Sequence, residues 1–448
     1  MSRHSDSAFD VAIVGGGVIG MSVAWLARAR GLSVVLLERD TLGASASHVA
    51  AGMLAPVAEA EFGAAGRRLL ELGLCSARMW PEFAAALQDA AEQPVPLRAA
   101  GTLVVARDDD EARELDRQIA FRDSLELPTT RLLPSAAREL EPALAPTVRL
   151  AYESPGDHSV DPRLVLAALR RACELAGVQL REHTPVSEMH VVSRRDVVGG
   201  VDVAGGVDVA GGVDVAGGVD VAGGVDVVTR GDVGGADARV AGVVLADGER
   251  LRARHVVLAA GAWSGQLGGL PAHARIPIRP VKGQILRLRD PAGPGLLERV
   301  LRYDGGYLVP RGDGRYVLGA TVEERAFEDH PTAGGVYELL RDAREIIPGI
   351  TELALEELSV GHRPGTPDNT PVIGPGALPG LLWASGHHRN GILLAPLTAE
   401  LVVSALTGAL APICTPSPTT LLAYCDPRRF NPPGSPPPNP APPVGAFS

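Results

Sequence analysis

The chain has 448 residues, enough for two or three domains with a sizeable core. Its 42 lysines and arginines against 53 acidic residues give a net charge of −11. That balance leaves no excess of positive charge to meet phosphates, so we expect no nucleic acid partner. With 46% hydrophobic and 21% charged residues, the composition also excludes wholesale disorder.

Cysteine spacing and the apolar stretches further restrict the class of protein that the sequence can encode. The four cysteines are scattered without metal-ligand spacing, which suits a reducing compartment and predicts neither a disulfide framework nor a zinc site. The first ten residues are polar and lack the apolar core of a signal peptide. The longest apolar stretch, Gly391 to Ile413, contains Pro396 and Glu400 and predicts a buried helix rather than a membrane span. We therefore expect a cytoplasmic protein with no membrane span and no metal.

The N-terminal region predicts a β-α-β unit. Asp10 to Val14 is a short apolar run that reads as a buried strand, and the glycine-rich segment Gly15 to Gly20 follows it. Met21 to Arg30 keeps its apolar residues on one helical face. Ser33 to Leu37 predicts a second buried strand, which ends at Glu38.

The glycine-rich segment has the GxGxxG spacing of a dinucleotide-binding turn. Gly15 is expected to make the tight turn, Gly17 to let the backbone approach a pyrophosphate, and Gly20 to allow close packing of helix on sheet. Glu38 stands where an acidic side chain can accept hydrogen bonds from both ribose hydroxyls. The helix N-terminus adds its dipole to the phosphate site. Strand, turn, helix and acid together predict dinucleotide binding.

Further along the chain, segments that predict a parallel sheet alternate with segments that predict antiparallel strands. Asp161 to Gly177 predicts a helix with an aspartate N-cap, and Val178 to Glu182 and Arg254 to Ala260 predict further buried strands. Gly101 to Ala106 and Tyr307 to Ala320 alternate apolar and polar residues, which favours antiparallel strands. The predicted fold class is α/β, with a Rossmann-like domain interleaved with an antiparallel-sheet substrate domain.

The predicted domain boundaries follow from these elements. The nucleotide-binding domain is assigned to residues 1–92, 152–265 and 355–430, and the substrate domain to residues 93–151 and 266–354. Residues 199–228 repeat the hexapeptide GGVDVA and are predicted to be an expanded hairpin loop. The proline-rich tail, residues 431–448, is predicted to be disordered.

The cofactor is predicted to be FAD rather than NAD. An N-terminal fingerprint in a long chain with a large inserted domain favours a tightly held flavin. The run of small residues from Ala44 to Met53 could lie against a ribityl chain and a flavin ring. His48 stands two residues before the Ala50-Ala51-Gly52 block rather than directly before it, so a covalent flavin is not expected.

Seven segments resemble the D-amino-acid-oxidase-type flavoproteins, and most closely the glycine oxidases of bacterial thiamine biosynthesis. They are VAIVGGGVIG (11–20), AAGML (50–54), HTPV (183–186), VKGQ (281–284), YLVPRGDGRYVLGAT (307–321), RPGTPD (363–368) and GHHRNGILLAP (386–396). The resemblance implies a non-covalent FAD. It also implies oxidation of a small amino acid by oxygen, through an imine to glyoxylate, ammonia and hydrogen peroxide, with the imine feeding thiazole synthesis.

The resemblance also implies site residues. Arg363 matches the arginine that binds the substrate carboxylate, Tyr307 matches a second substrate contact, and Met53 and Arg389 line the same pocket; Arg363 and Tyr307 are the expected catalytic pair. His387 and His388 are not expected to act as a base. The expected cofactor contacts are Gly15, Gly17, Val18, Ile19, Gly20, Glu38, Arg39, Ala46, Ser47, Ala51, Gly52, Met53, Val186, His387, His388, Arg389, Asn390, Gly391, Ile392 and Leu393.

Two departures leave the preferred substrate open. The glycine oxidases carry methionine where this chain has Val322, and the loop from Asp304 to Gly306 lacks a histidine found in a relative. A D-amino-acid or sarcosine oxidase or dehydrogenase therefore stays an alternative, as does a non-catalytic flavin-binding scaffold. A homo-oligomer is also left open. Lys282 is the only lysine in the sequence. A need for an ammonium near the flavin or oxygen is one interpretation, and a role in packing or an exposure to solvent is the alternative.

Overall fold

The structure is a computed structural model that describes residues 8–193, 238–409 and 414–430. The predicted repeat loop at 199–228 and the predicted tail at 431–448 lie outside the described residues, as do the first seven residues of the N-terminal segment.

The strands and helices of the described residues follow one another along the chain. The strands are β1 (Phe9–Val14), β2 (Val34–Leu37), β3 (Met53–Leu54), β4 (Leu97–Arg98), β5 (Thr102–Ala106), β6 (Thr130–Leu132), β7 (Leu150–Ser154), β8 (His158–Val160), β9 (Gln179–Arg181), β10 (Val186–Val192), β11 (Arg239–Leu245), β12 (Arg250–Leu258), β13 (Arg279–Arg289), β14 (Val300–Tyr303), β15 (Gly306–Pro310), β16 (Arg315–Gly319), β17 (Ala354–Gly365), β18 (Val372–Pro375) and β19 (Leu381–Ser385). The helices are α1 (Val18–Ala29), α2 (Ala46–Val49), α3 (Gly63–Ala91), α4 (Asp109–Ser124), α5 (Pro134–Leu140), α6 (Pro162–Ala176), α7 (Ala333–Ile346), α8 (Ala395–Thr407) and α9 (Pro418–Tyr424).

The first sheet is the predicted Rossmann-like unit. Strands β9, β2, β1, β12 and β19 lie side by side and parallel, with β18 antiparallel at one edge. Helices α1, α6, α3 and α8 pack on one face around buried side chains such as Met21, Leu169 and Leu397. Strands β10 and β11 pair antiparallel on either side of the predicted repeat loop, and β11 pairs antiparallel with β12.

The local helix signals in the sequence correspond to the structure. Helix α1 begins directly after Gly17, and Gly31, with φ +85°, follows its end. Asp161 caps α6 by accepting a hydrogen bond from the amide of Arg163, 3.0 Å away, and Gly177 ends that helix in the left-handed conformation.

The second sheet has the order β17-β13-β16-β15-β14-β5-β7-β6 and is antiparallel apart from the β14–β5 pair. Its core lies beneath α7, where Leu286, Leu318 and Leu339 are buried together. The predicted fold class is confirmed. The predicted domain boundaries stay predictions, with two differences at the level of strands. Residues 152–154, assigned from sequence to the nucleotide-binding domain, belong to β7 and pair with β5 of the second sheet. Strand β17, assigned from sequence to the nucleotide-binding domain, pairs along its whole length with β13 of the second sheet.

One sequence expectation is wrong. Cys75 and Cys414, 339 residues apart in sequence, form a disulfide with a Cα–Cα distance of 5.9 Å. Cys75 lies on the buried face of α3, and Cys414 follows α8, which packs against that helix. Spacing rules detect only neighbouring cysteines, so a pair brought together by helix packing escapes them. Cys173 and Cys425 are buried free thiols.

Candidate active site

A cavity of about 1050 Å³ lies between the two sheets. The carboxyl ends of β1 and β2 and the N-terminus of α1 form one end. One face of the second sheet forms the other end, with contributions from β5, β13, β15 and β17. Its volume is at the upper end of the range for ligand pockets, about 300–1,000 Å³, which suits a dinucleotide together with a small substrate.

The first end of the cavity is a glycine-rich turn that leads into the N-terminus of α1. Gly15 has φ +109°, and a Cβ there would lie 2.5 Å from the Ala259 carbonyl oxygen, so only glycine fits the turn. A Cβ on Gly20 would overlap the carbonyl oxygen of Gly15, which requires glycine for close packing of the helix on the strand. A Cβ on Gly17 would meet only the Ser47 hydroxyl, at 3.2 Å. Since α1 has no acidic residue in its first turn, its N-terminus can accept an anion.

Glu38 stands at the end of β2, where a ribose is expected. Its Oε2 accepts a hydrogen bond of 2.7 Å from the Gly16 amide, which fixes the carboxylate beside the glycine turn. Next to it, the Arg39 guanidinium lies 3.7 Å from the ring centroid of Trp263. Glu38, Arg39 and Trp263 all line the cavity.

At the other end, Arg363 is held flat against the sheet. Its Nη1 donates to the carbonyl oxygens of Lys282 at 3.3 Å and Thr321 at 3.1 Å. A Cβ on Gly283 would lie 2.5 Å from Nη1 and 2.6 Å from Nη2, so the guanidinium occupies the space above this glycine. Nε and Nη2 donate no hydrogen bond to the described residues. This edge of the guanidinium can therefore grip a carboxylate.

Tyr307 rests on a second glycine. It lies on β15 opposite Gly319 of β16, and a Cβ on Gly319 would be 2.6 Å from the tyrosine hydroxyl oxygen. Desolvation raises the pKa of Tyr307, while the charge of Arg363 opposes that shift. The hydroxyl therefore stays protonated and can donate a hydrogen bond to an anion beside Arg363.

Arg389 lines the cavity and already contacts two carboxylates. Its Nε is 3.4 Å from Oε2 of Glu59, and its Nη2 donates to Glu61. Glu59 also faces Arg302, whose Nη2 is 3.8 Å from Glu59 Oε1. The structure thus brings Arg389 to the cavity, as expected, with its charge balanced by carboxylates from the segment between β3 and α3.

His387 and His388 precede α8. The segment between them and the helix lines the cavity through Gly391 and Ile392. His387 is buried, and its Nε2 shares a hydrogen bond of 2.9 Å with the Thr398 hydroxyl. Burial lowers the pKa of His387 to about 3, and burial with nearby arginines lowers that of His388 to about 4. Both rings are therefore neutral and very weak bases near pH 7.

Most of the site residues expected from sequence line the cavity. Three do not, namely Gly20, Asn390 and Leu393. Gly20 packs inside α1. Leu393 lies behind the wall, where its carbonyl accepts hydrogen bonds from Ser76 at 2.6 Å and Trp80 at 2.9 Å. Direct cofactor contact through these three gains no support from the geometry.

The cavity residues that sequence reasoning did not assign to the site include Glu59, Trp263, Gly283 and Arg302. For Arg302 a signal was available. An Asp-Gly pair, Asp304-Gly305, between two apolar runs is a hairpin signal, and that hairpin places Arg302 opposite Tyr307. Arginine is so common in this sequence that residue type alone gave no warning.

Lys282 lies elsewhere than its rarity suggested. It pairs with His362 across the sheet and does not line the cavity. Its Nζ is fully buried, 3.7 Å from a carboxylate oxygen of Glu323 and 3.6 Å from one of Glu328. Nζ donates no hydrogen bond to the described residues, and two backbone hydrogen bonds between Lys282 and Glu323, of 2.9 and 3.0 Å, hold the loop after β16.

Two absences concern the described residues alone. Within residues 8–193, 238–409 and 414–430, no group of three or more histidine, cysteine or acidic side chains could hold a metal ion. Over the same ranges, no helix is both long and apolar enough to cross a membrane.

The fold and the cavity define a class: α/β proteins in which a Rossmann-like sheet and a second, largely antiparallel sheet enclose one cavity. The FAD-dependent oxidoreductase family matches residues 10–222 and 216–405, and the chain belongs to that family. FAD is accordingly its cofactor. The glycine turn, the anion-accepting helix N-terminus and Glu38 fit that group.

Named relatives narrow the resemblance. The chain is 33% identical over 398 residues to the bifunctional protein ThiO/ThiG of Synechocystis sp., covering 88% of this chain and 51% of the relative. It thus spans about half the length of that relative. It is 33% identical over 396 residues to glycine oxidase of Geobacillus kaustophilus, covering 88% of this chain and 92% of the relative.

A solved structure has the same fold. The crystal structure of glycine oxidase from Geobacillus kaustophilus superposes with a TM-score of 0.74 at 31% identity, covering 90% of this chain and 95% of that chain.

Gly283→Ala tests the seat of Arg363. The new methyl group would displace the guanidinium, so we expect kcat/KM for a carboxylate substrate to fall at least tenfold, about 1.4 kcal/mol, while FAD stays bound. Gly283 sits in regular strand, so backbone strain adds nothing. Gly156→Ala, where a Cβ meets no atom within 4 Å, is the control. Equal kinetics for the two variants would contradict the assignment.

His387 predicts a pH dependence of stability. In the folded chain His387 stays unprotonated, whereas in the unfolded chain it takes up a proton below the ordinary histidine pKa of 6.5. The free energy of unfolding should therefore fall as pH drops from about 6.5 towards 3, by up to about 1.4 kcal/mol per pH unit. His387→Gln should flatten this dependence in urea titrations at pH 7, 6 and 5. His273→Gln, at an exposed histidine, should not. If the free energies of unfolding of the parent protein and of His387→Gln depend on pH in the same way, the role of His387 is refuted.

Proposed function

We propose that this chain is an FAD-dependent amino acid oxidase that acts on glycine and comparably small amino acids. The observation that carries the proposal is the open edge of Arg363. Two backbone carbonyls and the surface of Gly283 fix the guanidinium, and its remaining edge faces the cavity beside the Tyr307 hydroxyl. A non-catalytic scaffold would have no use for this clamp.

Arg363 and Tyr307 together orient the substrate. The guanidinium would bind the carboxylate through two parallel hydrogen bonds, and the tyrosine hydroxyl would donate a third. With the carboxylate fixed, rotation about the Cα–carboxylate bond is the main freedom left, and the wall around Met53 limits it from the cofactor side. When bound, FAD supplies the two-electron acceptor for the Cα–H bond and passes the electrons to oxygen.

Among the described residues, the histidines that line the cavity near this clamp are not strong bases. His387 and His388 are held neutral with depressed pKa values, and His387 is tied to Thr398. The substrate should therefore react as the neutral amine. The resulting imine would hydrolyse to glyoxylate and ammonia, with hydrogen peroxide as the product from oxygen. Supply of that imine to thiazole synthesis is the role we propose in the cell.

The proposed residue roles follow the cavity. Gly15, Gly17, Val18 and Ile19 would hold the pyrophosphate, and Glu38 the ribose. His387, His388, Gly391 and Ile392 would lie against the flavin. A cytoplasmic location stays a prediction, and the disulfide removes the cysteine argument for it.

A second candidate substrate class is small D-amino acids and sarcosine. Val322 and Gly305 both line the cavity and are small, so the pocket wall leaves room beyond glycine. Peroxide release with glycine, sarcosine and D-alanine would rank the candidates. If none of these three substrates is turned over, the oxidase proposal is wrong.

Arg363→Ala tests the substrate clamp. FAD should stay bound, because the glycine turn is remote from Arg363. The value of kcat/KM for glycine should fall by at least a hundredfold, because loss of a buried carboxylate partner costs about 3–5 kcal/mol. Arg363→Lys should recover only part, since a point charge cannot reproduce the fork.

Two controls accompany the Arg363 series. Arg289→Ala removes an exposed arginine from β13 and should leave turnover unchanged. A simple primary amine without a carboxylate should be nearly indifferent to Arg363→Ala. Glycine turnover within a few-fold of the parent would remove Arg363 from the proposal and make Arg389 the next anchor to test.

A further inference from the structure

Arg311 is a buried arginine that the proposed reaction does not use. It directly follows β15, its side chain is 4% exposed, and it does not line the cavity. Burial lowers the pKa of Arg311 to about 10, so the guanidinium still carries its charge at neutral pH. A charged group that is buried away from water is costly, so the position of Arg311 calls for an explanation.

The guanidinium of Arg311 contacts a cavity-lining segment from outside the cavity. Its Nη2 donates to the Ala51 carbonyl oxygen at 2.7 Å, and its Nη1 donates to the Val160 carbonyl oxygen at 2.9 Å. Ala51, Gly52 and Met53 all line the cavity, and all three are expected cofactor contacts. Arg311 therefore holds the segment that is expected to face the flavin without reaching the cavity itself.

The peptide between Ala51 and Gly52 joins this contact to the cavity. The bond is trans, so its C=O and its N–H point in opposite directions. The carbonyl group points to Arg311, and the Gly52 N–H therefore points away from it. That N–H donates no hydrogen bond to the described residues, although Gly52 is buried and lines the cavity. Buried backbone N–H groups rarely lack a partner, so we expect an acceptor inside the cavity.

Fastening of this segment needs no guanidinium. The Val160 amide already donates to the Gly52 carbonyl oxygen at 2.9 Å, and β3 pairs with β8 directly beyond that bond. The charge of Arg311 is paired with Asp161, whose carboxylate oxygen lies 3.8 Å from Nε. A buried ion pair often stabilises a fold no better than apolar side chains of the same volume. This comparison favours a role in which the charge of Arg311 itself matters.

Arg287 makes the same kind of contact a few residues earlier in the segment, and it also lies outside the cavity. Its Nη2 donates to the carbonyl oxygens of His48 at 2.8 Å and Val49 at 3.3 Å. The N–H groups of those two peptides donate to backbone carbonyl oxygens within the turn of α2. Arg287 therefore holds peptides whose N–H groups are already bonded, whereas Arg311 holds one whose N–H has no partner among the described residues.

We propose that Arg311 is a positioning residue for the flavin, which orients the Ala51–Gly52 peptide and polarises the Gly52 N–H as a hydrogen-bond donor to the flavin ring. A hydrogen bond to the carbonyl oxygen draws electron density out of the peptide, so its N–H becomes a better donor. A fixed donor of this kind stabilises the negative charge that the ring gains on reduction. The inference rests on the FAD cofactor and not on the substrate clamp, so it can be tested without a substrate.

The test measures sulfite affinity and reduction potential on the FAD-loaded protein, because sulfite addition and reduction both place negative charge on the ring. In Arg311→Met we expect the dissociation constant of sulfite to rise at least tenfold. The reduction equilibrium should fall by at least the same factor, which for a two-electron couple lowers the potential by about 30 mV. Arg311→Lys should recover part of both, since an ammonium keeps the charge but cannot hold two carbonyl groups as a fork does.

Arg287→Met is the matched control. It removes a buried guanidinium from the same segment, but the peptides that it releases have their N–H groups bonded within α2. Both equilibria should therefore stay within about twofold of those of the parent protein, even if the melting temperature falls. Equal shifts in Arg287→Met and Arg311→Met would overturn the proposal, because loss of any buried arginine would then explain them. Unchanged sulfite affinity and potential in Arg311→Met would overturn it as well.

A neutral variant covers the case in which Arg311→Met loses FAD. Arg311→Gln keeps a hydrogen-bond donor without the charge, so it should bind sulfite more weakly than Arg311→Lys does. Equal sulfite affinity in these two variants would overturn the proposal.

Two outcomes separate this inference from the proposed function. If the Arg311 variants shift as expected but no amino acid releases peroxide, the oxidase proposal fails and the role of Arg311 stands. If glycine is oxidised but Arg311→Met and Arg287→Met shift alike, the role of Arg311 fails and the oxidase proposal stands.

Discussion

The substrate end of the cavity depends on one contact, in which the guanidinium of Arg363 lies flat on the backbone of strand β13. Arg363 can lie flat only because Gly283, on the neighbouring strand, has no side chain, and because two carbonyl oxygens hold one of its edges. That arrangement fixes the position of a charge that would otherwise move on a long flexible stem. It also requires β17 and β13 to pair in one register, since a slip of one residue would turn Arg363 to the other face.

The two ends of the cavity are built by different means. At the nucleotide end, one short segment supplies the turn, the helix N-terminus and the acid, so contacts between near neighbours in sequence suffice. At the substrate end, Arg363, Tyr307 and Arg302 come from three strands joined through the pairing of β17, β13, β16, β15 and β14. We propose that the first end holds the cofactor, and the second end presents charged and polar groups to the cavity.

This difference explains what the sequence could predict. The β-α-β unit, the Asp161 cap and the glycine turn are local patterns, and each is found in the structure. The disulfide, the pairing of β17 with β13 and the contact of Arg389 with Glu59 link segments far apart in sequence, and no spacing rule reaches them. Lys282 shows a further limit. Its rarity pointed to a special environment, which exists, but that environment is an ion-pair cluster behind the sheet rather than the cofactor site.

A crystal structure of the FAD-loaded protein with glycolate, the hydroxy analogue of glycine, tests the central claim most directly. We predict the glycolate carboxylate on the open edge of Arg363, at about 2.7–2.9 Å from Nη2, and within hydrogen-bond reach of the Tyr307 hydroxyl. The guanidinium should still rest on Gly283. A carboxylate bound by Arg389 or Arg302 instead, with Arg363 turned away from the ligand, would contradict the account.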